Sequence, residues 1–185
     1  ARPDRPPLSY SQLAMWFQQR MRGANDVFNM ALTLRFSGPL DTGALAAALN
    51  DVVARHEALR TNFVQHDNVP YQLVHPVREV ELTVRDVEAD QIDQTVTELR
   101  RHVFDLESEL LFRPTLLVGD PDTHVLLLLV HHTVTDHTSF GVLFEDLLSA
   151  YQARLLQGPP RWPAPAFQFI EFALWQQDAF SASNE

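Results

Sequence analysis

The stretch "HHTVTDHTSF", residues 131 to 140, gathers groups able to do chemistry: His131, His132, Asp136, His137 and the Ser139 hydroxyl. Three uses are open to them: metal binding, proton handling or positioning by a histidine, and hydrogen bonding at the polar end of a strand. Zinc needs three convergent ligands. His132 and Asp136 would align at i, i+4 only on a helix, and "TVT" after an apolar run disfavours one. No Glu stands where the helical His-Glu-x-x-His motif needs it. Ser139 lacks the Gly-x-Ser-x-Gly flanks of a nucleophile elbow. If the preceding strand stays extended, His131 and His132 point to opposite faces, so only one can address a given site. These ten residues by themselves leave a catalytic histidine and a hydrogen-bonded strand end both open.

The elements that must position this stretch carry their own signals. Ser9 with Gln12 makes a capping box, and Leu8 and Leu13 occupy the staple positions. Leu13, Trp16, Phe17 and Met21 then recur at helical spacing, which predicts one apolar face. Met30, Leu32, Leu34 and Phe36 alternate as one strand face. Asp41 can cap a second helix bearing Leu45, Leu49, Val52 and Val53. "HDNVP" reads as a hairpin turn between two short strands, and "ELTVRDV" as a further strand. Ile92, Val96, Leu99 and Val103 mark a helix beginning near Ala89. "FRPTLLV", the turn "GDPDT" and "HVLLLLVHH" read as a strand pair, with Val125 to Val130 of the second strand uninterrupted and apolar, as expected of a strand buried on both faces. Helical spacing returns from Phe140 to Leu156 and is closed by Gly158 and two prolines. Strands alternating with helices, with tight hairpins among them, predict an α/β sandwich with helices packed on a mixed sheet.

At 185 residues the chain suits one compact domain or one lobe of a larger one. Its net charge of -10, with Arg100–Arg101 as the only close basic cluster, disfavours nucleic acid. The absence of cysteine removes disulfides, thiolate nucleophiles and Cys-ligated zinc. No run approaches the roughly 18 apolar residues of a membrane span. The first ten residues have no apolar segment of the kind a signal peptide needs. Without an initiator Met, and stopping just after a helical pattern, the chain is expected to be a piece of something longer.

The motifs together resemble one family. "HHTVTDH" is similar to the His-His-x-x-x-Asp-Gly motif of nonribosomal peptide synthetase condensation domains, which belong to the chloramphenicol acetyltransferase-like superfamily. "LSYSQLAMWF" resembles the family's first motif, Ser-x-Ala-Gln-x-Arg-Leu-Trp, and "RHEALRTNF" its second. "VFNMALTLRFSGPLD" and "FDLESELLFRPTLL" resemble connecting segments, in the family's order from Leu8 to Gln176. Two positions depart from the pattern: His137 stands where the family has Gly, and Ala14 where the first motif has Arg. Glycine there would permit an unusual backbone or a close approach.

The resemblance implies a chloramphenicol acetyltransferase-like two-layer sandwich that is one of two lobes, with the active site in a tunnel between them. Residues 1–158 would form the N-terminal lobe, 159–166 a linker, and 167–185 the start of the crossover to a missing C-terminal lobe. It implies peptide-bond formation, an acceptor aminoacyl amine attacking a donor thioester. Both substrates ride on the 4'-phosphopantetheine arms of donor and acceptor carrier proteins, with no cofactor or metal held by the lobe. His132 would be the catalytic residue, and His131 a structural neighbour. Asp136 would pair with Arg60, and His137 would narrow the site, lower its activity or be a tolerated variant, the last being favoured. Trp16, Phe17 and Asn29 would serve packing and backbone anchoring. A cytoplasmic setting, no membrane and no nucleic acid complete the expectation. The alternatives are an epimerisation domain or a non-catalytic docking module of the same superfamily.

Overall fold

The computed structural model describes residues 2–120 and 122–182. Helix α1 (Tyr10–Arg22) begins at the capping box: the Ser9 hydroxyl accepts from the Gln12 N–H, and the Gln12 side chain accepts from the Ser9 N–H. Strand β1 (Asn29–Ser37) follows, with Asn29 to Leu32 half-buried and then Leu34 and Phe36 half-buried between exposed neighbours. Helix α2 (Thr42–Arg55) is capped by Asp41, whose carboxylate accepts from the Ala44 N–H at 2.8 Å. A 3-10 turn (Glu57–Arg60) leads into the hairpin β2 (Thr61–His66) and β3 (Val69–Val74). Asp67 and Asn68 link these strands at φ 50° and 63°, the paired positive values that a two-residue hairpin requires. Then come β4 (Thr83–Asp86), α3 (Ile92–Leu99), β5 (Phe112–Asp120), β6 (Thr123–His131), α4 (Ser139–Leu155) and α5 (Phe169–Ala182).

The main sheet has the order β1-β6-β5-β4, with β4–β5 parallel and the other pairs antiparallel. This is the mixed sheet that the alternating elements predict. Strand β6 sits inside it, and Val125 through Val130 are all buried. Leu126, Leu128 and Val130 share a core with α2 and α4, while Val125 and Leu117 pack with Ile92 of α3. Each fully buried side chain of this size contributes about 1.5–3 kcal/mol of transfer free energy, so β6 is a rigid base for the turn that follows it.

Three local expectations change, the first being that the helix marked by Ile92, Val96, Leu99 and Val103 ends at Leu99 and leaves Val103 exposed beyond it. The buried residues of α1 are Gln12, Trp16 and Gln19, whereas Leu13, Phe17 and Met21 are 38%, 57% and 70% exposed. Three of the four residues of the predicted apolar face therefore point outward while Trp16 turns in, beside two glutamines that meet backbone carbonyls: Thr133 O for Gln12 and Phe104 O for Gln19. Two residues past the end of helix α4, Gln157 takes φ 61°, so the left-handed residue precedes Gly158.

Residues 159–168 lie against the same body. Arg55 donates to the Asp146 carboxylate and to Pro163 O, and its guanidinium lies 4.7 Å from the Trp162 ring centre. Helix α5 buries Ile170 and Ala173, and its Gln176 accepts from the Tyr10 N–H at 2.9 Å. Among the described residues, no helix is long and apolar enough to cross a membrane.

Candidate active site

Strand β6 delivers the histidine pair. His131 is its last residue, opposite Asn29 of β1, and the His132 N–H still reaches Phe28 O at 2.8 Å. The Val134 N–H then bonds His131 O at 3.1 Å and turns the chain. The two side chains fall on opposite sides, as extended backbone requires: His131 is fully buried and His132 is exposed.

His131 is held by its neighbour two residues on. Its Nδ1 accepts from the Thr133 N–H at 3.2 Å and lies 2.8 Å from Thr133 Oγ1. An accepting Nδ1 places the proton of the neutral ring on Nε2, which is buried without a hydrogen-bond partner. The Phe28 and Phe104 rings approach it edge-on, each with centres 6.0 Å away. Burial, with the adjacent His132 charge as the lesser cause, pushes its pKa down to about 4. His131 is thus a neutral part of the core. Asn29 anchors backbone, its amide donating to Arg100 O at 2.8 Å and to His102 O at 2.6 Å. Trp16 is buried and packs, whereas Phe17 is on the surface.

His132 is arranged differently. Its Nδ1 lies 2.7 Å from the Thr135 carbonyl oxygen. A carbonyl can only accept, so Nδ1 carries the proton and the Nε2 lone pair is left to accept a hydrogen bond or a proton. The side chain is presented on the exposed side of the turn, oriented by a backbone group. Such an imidazole can position and polarise an N–H or O–H brought to it.

The expected ion pair between Asp136 and Arg60 is not formed. Asp136 Oδ1 accepts from the Ser139 N–H at 2.8 Å, the Ser139 hydroxyl at 2.6 Å and the Thr138 hydroxyl at 2.8 Å. The Ser139 hydroxyl bond is the largest influence holding its carboxyl below the usual range, against a smaller opposing effect of burial. The physical reason is local: α4 starts three residues later, and its unsatisfied N–H groups lie within reach of an exposed carboxylate. Arg60 closes the 3-10 turn, donates to His75 O and lies 3.7 Å from Glu57, with its Nε buried and unpartnered. His137 is exposed and has no positive φ, so the backbone here does not demand glycine. Ala14 lies on the exposed side of α1.

The second motif and the histidine turn still meet, since Leu59, Thr135, Ser139 and Phe167 line one cavity of about 180 Å³. Among the described residues, no three His, Asp or Glu side chains are grouped to hold a metal ion. Three contributors escape sequence reasoning. Thr135 acts through its carbonyl, which any residue possesses. Thr133 acts through a two-residue contact, and Gln12 shows in the sequence as a cap and as the Gln of the first motif, without its partner Thr133 O.

The condensation-domain family model matches residues 3–185. A dimodular nonribosomal peptide synthase of Bacillus subtilis is 41% identical over 186 residues, covering all of this chain and 8% of that protein. The X-domain from teicoplanin biosynthesis superimposes with a TM-score of 0.94 at 34% identity, covering all of this chain and 40% of the other. The first condensation domain of the CDA synthetase gives a TM-score of 0.84 at 21% identity over 94% of this chain and 46% of the other. The chain thus spans a small part of that curated relative and less than half of either solved chain. With the motifs, the α/β fold of condensation domains and a match across nearly every residue, the chain belongs to the condensation-domain family of nonribosomal peptide synthetases.

Proposed function

We propose that residues 1–158 form the N-terminal lobe of a condensation domain that makes an amide bond, with 159–166 as linker and 167–185 leading to a C-terminal lobe. The acceptor amine attacks the donor thioester carbon, the carbon–sulfur bond breaks, and the donor arm leaves as a thiol that takes up the proton released by nitrogen. Both acyl groups ride on phosphopantetheine arms of carrier proteins. The observation that carries this reading is the bond from His132 Nδ1 to Thr135 O, which leaves Nε2 as an oriented acceptor on the exposed side of the turn.

An α-amino group has a reference pKa near 8, so roughly a tenth is free base at pH 7. A thioester is already activated, and orientation of reactants is worth up to about 7–11 kcal/mol. Nε2 therefore serves chiefly to hold the attacking N–H and to stabilise the positive charge that develops on nitrogen. Full proton removal is secondary. An exposed His132 cannot supply a water-excluded site by itself. Leu13, Phe17, Met21, Phe172 and Trp175 leave apolar surface on α1 and α5 for a second lobe to cover, and without it the chain is inactive.

The test uses the full-length parent with both lobes, mixed with loaded donor and acceptor carriers while the acceptor's intact mass is followed. A dipeptidyl mass increase that falls at least about 100-fold in His132→Ala is expected. A loss well below tenfold would remove His132 from the centre of the reaction. The second reading is a docking module. It is favoured by the likeness to the teicoplanin X-domain, which has also been solved in complex with OxyB. Absence of transfer with several loaded pairs, both proteins being folded, would select it or an epimerisation domain.

A further inference from the structure

We infer that Gln12 is a positioning residue for His132, acting through the carbonyl of Thr133. This rests on the condensation reading for its effect on rate, while its structural half stands independently.

Gln12 is 2% exposed and lies 121 residues from the turn it touches. Its Nε2 donates to Thr133 O at 3.0 Å, with a longer contact of 3.5 Å to Gln72 Oε1. Its Oε1 accepts from the Ser9 N–H at 2.9 Å. The amide orientation is forced, because Thr133 O can only accept and the Ser9 N–H can only donate. Gln72 is fixed in the same way, its Nε2 donating to Pro7 O at 2.8 Å and its N–H to Pro6 O at 2.8 Å. The network thus leads from the N-terminal segment through α1 to the histidine turn.

Thr133 sits in the middle of that turn. Its N–H and hydroxyl engage His131, its carbonyl engages Gln12, and two residues later Thr135 O receives the His132 Nδ1 proton. Thr133 and Gln72 are only 3% and 4% exposed, so the Gln12 amide meets the carbonyl away from bulk solvent. A buried carbonyl deprived of its donor costs free energy unless the peptide rotates to find another. Rotation at Thr133 carries Thr135 O away from Nδ1, and the ring loses the partner that sets its tautomer and direction. Displacement of a positioned group by about 1 Å lowers rate about 100-fold.

The experiment uses the full-length parent and compares Gln12→Met, Gln12→Glu and Ser9→Ala. Gln12→Met keeps the length and removes both amide bonds. Gln12→Glu keeps the acceptor for Ser9 and, once ionised, removes only the donated bonds. Ser9→Ala weakens the helix cap and leaves the tie to Thr133 in place. The single-turnover rate at saturating carriers is expected to fall about 10- to 100-fold in both Gln12 variants, with carrier half-saturation unchanged and less than about threefold loss in Ser9→Ala. The ¹⁵N shifts of the His132 ring should report an Nδ1–H tautomer in the wild type and a mixture in the Gln12 variants.

A wild-type tautomer in folded Gln12→Met or Gln12→Glu would overturn the inference. So would an equal rate loss in Ser9→Ala. Failure of both Gln12 variants to fold would make Gln12 a stability residue and overturn it as well. If the wild type makes no amide at all, the condensation reading fails, and the tautomer comparison still decides the role of Gln12.

Discussion

Helices α1 and α2 have 13 and 14 residues, and each starts at a side-chain cap, yet they bury opposite kinds of surface. α2 places Leu45, Ala48, Leu49, Val52 and Val53 in the core and behaves as an ordinary amphipathic helix. α1 buries two glutamines around Trp16 and turns Leu13, Phe17 and Met21 outward. Apolar periodicity marks an apolar face, but not what that face meets. In α2 it meets the sheet. In α1 the inner face must supply hydrogen bonds to carbonyls of the 102–106 and 131–135 segments, and the apolar face is left for another partner.

This contrast can be broken by experiments graded in size. Leu49→Ala in α2 should cost about 2–5 kcal/mol in urea unfolding, because it opens a cavity at a fully buried site. A cost under about 1 kcal/mol would mean that α2 does not hold the core.

Next in size is the pH dependence at the histidine turn. Buried His131 has its pKa pushed down to about 4, below the unfolded value near 6.5. Between these values the unfolded chain binds the extra proton, so stability rises with pH there. The contribution is complete above about pH 6.5 and is lost as pH falls toward 4, by up to about 3 kcal/mol. Urea midpoints measured from pH 7.5 to 4.5 should fall steeply in the wild type, and less so in His131→Phe. Equal slopes would place the responsible group elsewhere.

Asp136→Ala should cost about 0.5–2 kcal/mol, the size of a lost helix cap, rather than the larger cost of breaking a buried ion pair. Arg60→Ala added to it should behave additively, and a coupling above about 1 kcal/mol in the double-mutant cycle would restore the pair that the structure lacks. The smallest effect belongs to the outer face of α1. Phe17→Ser should change the stability of this chain by less than about 0.5 kcal/mol, since its side chain is already 57% exposed. The same change in the parent should weaken the association of its lobes. Equal, large losses in both would show that the face is already covered here.

Much of the fold was legible in advance. The capping box at Ser9 and Gln12, the Asp41 cap, the Asp67–Asn68 hairpin and the fully buried run of β6 follow from short-range chemistry. So did the opposite facing of His131 and His132, because strand geometry alternates side chains whatever surrounds them. The pairing of Asp136 was not legible, since both a distant guanidinium and a nearby helix end offer a carboxylate what it needs. The nearer partner won because no chain closure is required to reach it.

The sequence by itself determined most of the local elements, the family and the opposite facing of the two histidines, because these depend on residue type, spacing and backbone geometry. Only the tertiary structure decided that the carbonyls of Thr133 and Thr135 hold the histidine turn, with Gln12 donating from 121 residues away. Backbone carbonyls are identical in every residue, so which of them receives a donor depends solely on where the folded chain brings them.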